Sequence, residues 1–550
     1  MGFPAPAATL LRVSQSVPDD LGRFLLAGPA DPAESRWFRA RYEVLWLVLL
    51  ALAIRACAAW VNPSILNDSV TLLRSAERIR AEGLQAVLTM PDHPLVPWLV
   101  SLTSPAHLNS ETAATALAVV AGAFAVWPLH VLTRRACGRH AATGACILYA
   151  ALPRAVGVAS VPLTSAVFLP LILAAVSLSD AACVPASRNR RIVRLVSAGA
   201  MAGLAYLCRP EGIVAALAAV VTVLLLFRQR RRILAAIIVA AAFLVVAAPY
   251  AIALSNQAGR FALSPKKDVA RFAGVADLPP PVLQAARDAA PAAYESASAL
   301  DGALTTPVIV LALVGAFGMS RWRHRRAARA RLVLLGVAVV FGALVMRLQS
   351  GWGYGGARHI LPGALFLLPF AGEGLLVLGG FIGRVVARRR LAVVMASFAA
   401  IPYAALALLR PVGDDLAPRR RLGEALAGAS RAASPAPKLV VASFAEPLVA
   451  YYARESLRPE GDARDVPLWG AFGRLLVDRP DYEGQRAELV GVLRREGAKW
   501  LVLDLFRTQR KATGETVNPG RLLAQSLTED GALGAPVVSP GERLVAFPVN

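Results

Sequence analysis

The chain has 550 residues, 56% of them hydrophobic, and its 59 Lys plus Arg against 36 Asp plus Glu give a formal net charge of +23. So much apolar surface excludes a soluble globular fold, and the continuous, non-alternating apolar runs exclude a membrane β-barrel. The positive charge is not a nucleic-acid footprint, because the arginines stand in short clusters between apolar runs without interleaved aromatics.

Residues 1–41 are rich in Ala and Pro and form an expected cytoplasmic tail, with Arg36, Arg39 and Arg41 at the inner end of a first span, Tyr42–Val61. The tail carries no apolar run of signal-peptide type, so this span is expected to be an uncleaved anchor. Arg55 lies within it, about 9 Å below Val61 by helical rise. It faces either a polar cavity or, by snorkelling, the outer interface. An outer loop, 62–111, follows. Leu72, Leu73, Ala76, Ile79 and Leu84 recur at helical spacing, which predicts an amphipathic interfacial helix. Pro94–Leu102 is too short to span and predicts a partial or re-entrant helix.

Ten further spans fit near 112–133, 140–157, 163–182, 195–208, 212–227, 233–253, 304–320, 332–347, 359–383 and 391–409. With the amino end inside, the clusters at Arg134-Arg135, Arg188 to Arg194, Arg228 to Arg232, Arg321 to Arg331 and Arg384 to Arg390 all fall on the cytoplasmic side. The expectation is therefore an α-helical polytopic membrane domain over 42–410 with about eleven transmembrane helices. A linker, 411–437, leads to an exterior α/β domain, 438–550. Leu439–Ala442, Trp500–Leu505 and Arg543–Val549 read as its strands, and Glu446–Ala453, Tyr482–Glu496 and Leu522–Leu527 as its helices. No Gly-rich phosphate loop follows those strands. The five cysteines have no metal-ligand spacing.

Ionisable residues beside outer helix ends are the candidates for chemistry. They are Asp68 in the first loop, Asp92 and His93 before Pro94, Arg209 and Glu211 in a Cys-Arg-Pro-Glu-Gly turn, Lys266 and Lys267, and Arg358 and His359 opening a late helix. Each has an ordinary alternative. Asp68 could cap the helix that follows, Arg-Pro-Glu-Gly could be a plain turn, and a Lys pair could simply meet lipid headgroups.

Taken in order, these pieces resemble the GT-C superfamily of polyprenyl-phosphate-dependent glycosyltransferases, nearest the protein O-mannosyltransferases and the bacterial lipid A aminoarabinose transferases. The matching pieces are Arg55 in helix one, Asp68 shortly after it, and His93-Pro94 entering a short apolar run. They continue with GLAYLCRPEG at Gly203–Gly212 and ARHILPGALFLLPF at Ala357–Phe370. The resemblance implies inverting transfer of a hexose or pentose from a lipid-phosphate donor to an acceptor hydroxyl of a glycan, lipid or protein at the outer face. An exterior carboxyl-terminal domain is common in such proteins, and the Ala/Arg/Gly-rich composition points to a GC-rich bacterial genome and hence an inner-membrane location.

A transfer of this kind needs a carboxylate to take the acceptor proton, and Asp68 is best placed. It needs cations at the departing phosphate, which Arg358, Lys266, Lys267 and Arg209 could supply. Trp352 and Tyr354 offer flat faces for a sugar, or form part of an interfacial aromatic belt. Two departures stand out. Asn67 precedes Asp68 where many members have an acidic pair, and Ser160–Ser165 holds no acid where many have a Glu. Both make dependence on a divalent metal doubtful without excluding it, and no cofactor is certain from the sequence. A transporter or flippase, and a catalytically degenerate scaffold, are the competing expectations. The near absence of carboxylates inside spans, apart from Glu373, argues against the transporter.

Overall fold

The structure, a computed structural model, describes residues 33–61, 65–90, 92–103, 110–227, 231–265, 282–317, 325–352, 356–386, 401–406, 408, 417–433, 438–443, 447–457, 462–467, 482–504, 509–510, 516–517, 519–536 and 544–550. Among these residues seven helices are long and apolar enough to cross a membrane, or nine if two bent pairs each make one crossing. The chain is a multi-pass membrane protein. Eleven crossings are not reached among the described residues. Gly212–Leu226 is apolar but short, and most of 391–409 lies outside them.

The bends have local causes. The expected span 140–157 breaks by 61° between Arg139–Ala151 and Pro153–Ala159. Pro153 has no N–H for the carbonyl of Tyr149, and Leu152 is extended with ψ 116. The expected span 304–320 is instead Thr306–Phe317, meeting Ala293–Leu304 at 95°. At the corner Thr305 takes φ 69, a strained conformation for a β-branched residue. Its hydroxyl donates to Tyr403 Oη (3.1 Å). The run 195–208 belongs to a 21-residue helix, Arg188–Cys208, which begins in the basic cluster.

Thr164–Ala182 and Ala357–Gly379 lie at the centre of the bundle, each 83% buried over its apolar window, against 22% for Tyr42–Val61. Small residues permit close crossings there. A Cβ on Gly315 would overlap the Phe370 carbonyl, and one on Gly374 would overlap the Leu311 carbonyl. Arg331 and Glu373, both buried, pair within the bundle.

In the polar loop the helix Asn67–Glu82 forms where the spacing predicts it. Val70, Leu72, Leu73, Ala76 and Ile79 are buried, and the opposite face is polar. The short helix Leu95–Thr103 follows.

The carboxyl-terminal domain is a four-stranded sheet ordered β2-β1-β3-β6, from β1 (Lys438–Ser443), β2 (Asp462–Pro467), β3 (Trp500–Asp504) and β6 (Leu544–Pro548). β1 is parallel to β2 and β3, and β3 is antiparallel to β6. A two-residue pair, β4 (Gln509–Arg510) with β5 (Thr516–Val517), lies apart from it. Period-two alternation gives the sheet two apolar faces. Ala442, Leu501, Leu503, Val545 and Phe547 pack with Leu489, Leu493, Leu523 and Leu527 of Tyr482–Arg495 and Pro519–Glu529. Leu439, Val441, Val502, Leu544 and Ala546 pack with Leu422, Leu426, Val449 and Leu457 of Ala417–Ala433 and Pro447–Leu457. The first of these last two helices lies in the stretch read as linker.

Candidate active site

Four first turns and one interhelical turn hold the site. Asp68 sits in the first turn of Asn67–Glu82, where the helix dipole favours an acid. The Leu66 N–H donates to Ser69 Oγ (3.2 Å), so Ser69 serves the helix start and the Asp68 carboxylate turns elsewhere. It pairs with Arg358 Nη1 at 2.8 Å, with Asp68 51% and Arg358 27% exposed. Arg358 and His359 open Ala357–Ala364. Asp68 and Arg358 are 290 residues apart in the chain, so only the fold joins them.

Arg209 is the hub of the adjoining network. It follows the helix Arg188–Cys208 in extended conformation (φ −157, ψ 144), and Glu211 precedes the next helix, Gly212–Leu226. Gly212 is required, because a Cβ there would overlap the Tyr206 backbone. Arg209 Nη1 donates to Ser165 Oγ (2.6 Å), and its Nε pairs with Glu211 Oε2 (3.3 Å). Its Nη2 faces His359 Nδ1 at 3.2 Å, while Arg358 Nε donates to His359 Nε2 at 3.1 Å. Both guanidiniums only donate, whereas an imidazole carrying its one proton has a single lone pair, so the ring can satisfy only one of them at a time. Arg154, opening Pro153–Ala159, lies within electrostatic range of Arg358. Three guanidiniums against the carboxylates of Asp68 and Glu211 leave a net positive cluster. The helix N-termini beside it have the same sign, so the site suits an anion.

Asp92 and His93 fall in a neighbouring aromatic cluster. The His93 ring lies 5.4 Å from both Tyr206 and Tyr250. Asp92 interacts electrostatically with Tyr250. His93 Nδ1 donates to the Tyr206 carbonyl at 2.8 Å. In a continuing helix that carbonyl would receive the N–H of residue 210, but residue 210 is proline. His93 thus supplies the donor that Pro210 lacks.

Arg55 does the same at the bend. Fully buried, it donates to the carbonyls of Ala51 (3.1 Å), Ala150 (3.4 Å) and Tyr149 (3.4 Å), the last orphaned by Pro153. Its guanidinium stacks 4.6 Å from the Tyr149 ring centroid. A Cβ on Gly122 would come within 3.2 Å of its Nε.

The structure therefore brings Asp68, Arg209, Glu211, Arg358 and His359 into one network and gives Arg55 and His93 backbone partners of their own. Lys266, Lys267, Tyr354 and the side chain of Trp352 lie outside the described residues. Sequence reasoning missed Ser165 and Arg154. Ser165 carries no signal, but Arg154 is a lone charge directly after a proline in an apolar run, which marks it. Among the described residues no three His, Cys, Asp or Glu side chains gather to hold a metal ion.

Comparison with known proteins agrees with this architecture. Residues 91–254 match the family model described as dolichyl-phosphate-mannose-protein mannosyltransferase. No curated protein sequence matches the chain. Among solved structures the chain is similar to ArnT from Cupriavidus metallidurans in the apo state, with 16% identity, 93% of this chain and 98% of that chain covered, and a TM-score of 0.59. The same protein bound to undecaprenyl phosphate aligns with 14% identity, coverage of 94% and 98%, and a TM-score of 0.59. The archaeal oligosaccharyltransferase AglB from Archaeoglobus fulgidus, in complex with an inhibitory peptide and a dolichol-phosphate, aligns with 14% identity, coverage of 88% and 75%, and a TM-score of 0.53. The chain thus shares the fold of these membrane proteins over most of its length, and its residues 91–254 match the mannosyltransferase family model.

Proposed function

We propose that the chain is a membrane glycosyltransferase that moves a hexose or pentose from a polyprenyl-phosphate donor to an acceptor hydroxyl, with inversion. The observation that carries this is the 2.8 Å pairing of Asp68 with Arg358 beside the Arg209 network. It sets a carboxylate next to a surplus of guanidinium charge, and inverting transfer from a lipid phosphate needs both. The Asp68 carboxylate accepts the acceptor O–H proton as the acceptor oxygen attacks the anomeric carbon. The bond from that carbon to the phosphate oxygen breaks, and its electron pair stays on the phosphate. Arg358 and Arg209, fixed by His359, Ser165 and Glu211, stabilise that charge with little reorganisation. Direct displacement inverts the anomeric centre. The undecaprenyl phosphate bound to ArnT and the dolichol-phosphate bound to AglB support the choice of donor.

The arginine clusters support a cytoplasmic amino end, and with the expected odd number of spans the carboxyl-terminal domain lies outside; the Ala/Arg/Gly-rich composition supports a bacterial inner membrane. Purified protein incubated with radiolabelled sugars on polyprenyl phosphate is expected to release free lipid phosphate with an added acceptor extract. No release from any such donor, with lipid phosphate still bound, would leave a degenerate scaffold. No binding either would reinstate the transporter.

A further inference from the structure

The helix that carries Asp68 also carries the docking point of the carboxyl-terminal domain. Glu77 lies nine residues beyond Asp68, about 13 Å along the axis. Its carboxylate pairs with Arg454 Nη1 of the helix Pro447–Leu457 at 2.9 Å. The pair is largely shielded, with Glu77 18% and Arg454 28% exposed. Arg454 Nε also reaches Asp462, which is 72% exposed, at 3.1 Å. One turn earlier Tyr451 and Tyr452 are buried in the same continuous apolar core as Leu72, Leu73 and Ala76 of the loop helix. Burial pushes the Tyr451 hydroxyl well above its usual range, and the carboxylates of Glu111, Glu455 and Glu77 add to the effect. Arg420 of Ala417–Ala433 lies 5.5 Å from the Tyr452 ring centroid.

Two ion pairs among the described residues thus tie the loop helix to other parts of the protein. At its first turn Asp68 meets Arg358 of the membrane domain, and in its third Glu77 meets Arg454 of the soluble domain. The apolar stripe fixes the roll of the helix. The two ion pairs, at separate turns, add directional restraint along the helix axis to that packing. The Arg454 contact persists when Arg358 turns to a phosphate.

We propose that Arg454 is a positioning residue for Asp68, acting through Glu77 and the loop helix, so that the carboxyl-terminal domain sets the register of the base. The proposal rests on the transferase reading above. Two readouts on the purified full chain test it: amide exchange across 67–82, and donor turnover per folded molecule. Glu77→Gln and Arg454→Gln should each speed exchange over that helix and lower kcat about three- to tenfold at unchanged donor KM. The double variant should be no worse than either single, because both remove one interaction. Arg454→Lys should recover most of the rate, and Asp462→Asn should match wild type. Unchanged exchange in both single variants overturns the proposal. So does faster exchange at full turnover, or a double-variant loss equal to the product of the singles. Silence of the wild type with every donor is a different failure. It removes the transferase reading, and with it any base for Arg454 to position.

Discussion

Replacing Arg55 by Met separates a backbone-capping role from a substrate role. The substitution keeps length and apolar bulk but removes the donors to the Tyr149 and Ala150 carbonyls at the Pro153 bend. A buried carbonyl left without a donor costs about 1–3 kcal/mol. Both bonds are long, 3.4 Å, so the low end applies to each. Loss of the guanidinium stacked on Tyr149 adds about 1 kcal/mol. Relief of a buried charge offsets part of this, leaving a net loss of about 2 kcal/mol, or roughly thirtyfold in the folded-to-unfolded ratio. The assay heats detergent-solubilised protein, follows the folded fraction, and measures turnover per folded molecule beside it. Arg55→Met should unfold at clearly lower temperature, with turnover per folded molecule within about twofold of wild type. Wild-type stability with turnover reduced a hundredfold or more would refute the capping argument and put Arg55 on the substrate.

Three further outcomes follow from the same geometry. His93→Leu removes the donor that stands in for Pro210 and should cost about 1–2 kcal/mol, and His93→Gln, which keeps an N–H, should recover part of it in the same melting assay. Gly374→Val should separate Leu368–Val386 from Thr306–Phe317, because even a Cβ overlaps the Leu311 carbonyl. The expected readout is a sharp fall in folded yield from membranes, and a normal yield with wild-type melting contradicts the packing. Arg209→Met takes the cation from Glu211 and should lower both stability and turnover; adding Glu211→Gln should restore stability but not turnover. Recovery of turnover in that pair would mean Arg209 only supports the fold.

Much of the architecture was legible because apolar length and arginine clustering are read directly by a bilayer. The bends were less so. Pro153 breaks an apolar run that hydropathy alone treats as continuous, and the 95° corner at Thr305 leaves no trace in a window average. The polar turn at Arg209 to Gly212 was legible because Pro and Gly there have fixed backbone demands. Arg55 stood out as a costly charge in an apolar run and His93 as an ionisable residue beside an outer helix end, yet their partners are main-chain carbonyls. The sequence signal was the proline four residues after each orphaned carbonyl, at 153 and 210. β2 was missed because Asp462–Pro467 reads as polar, and it is an edge strand needing one good face only. The pairing of Asp68 with Arg358, and of Glu77 with Arg454, is long-range and lies beyond any local pattern.

The central claim is that Asp68 takes the acceptor proton while Arg358 and Arg209 receive the leaving phosphate. The most direct measurement is release of free polyprenyl phosphate by wild type and by Asp68→Asn, side by side, from one radiolabelled donor. The partner pair is partly exposed, so the substitution should cost no more than about 1 kcal/mol of stability. Lipid-phosphate binding should persist, while turnover falls by roughly a hundredfold or more. Turnover by Asp68→Asn at the wild-type rate, in protein equally folded, would contradict the account.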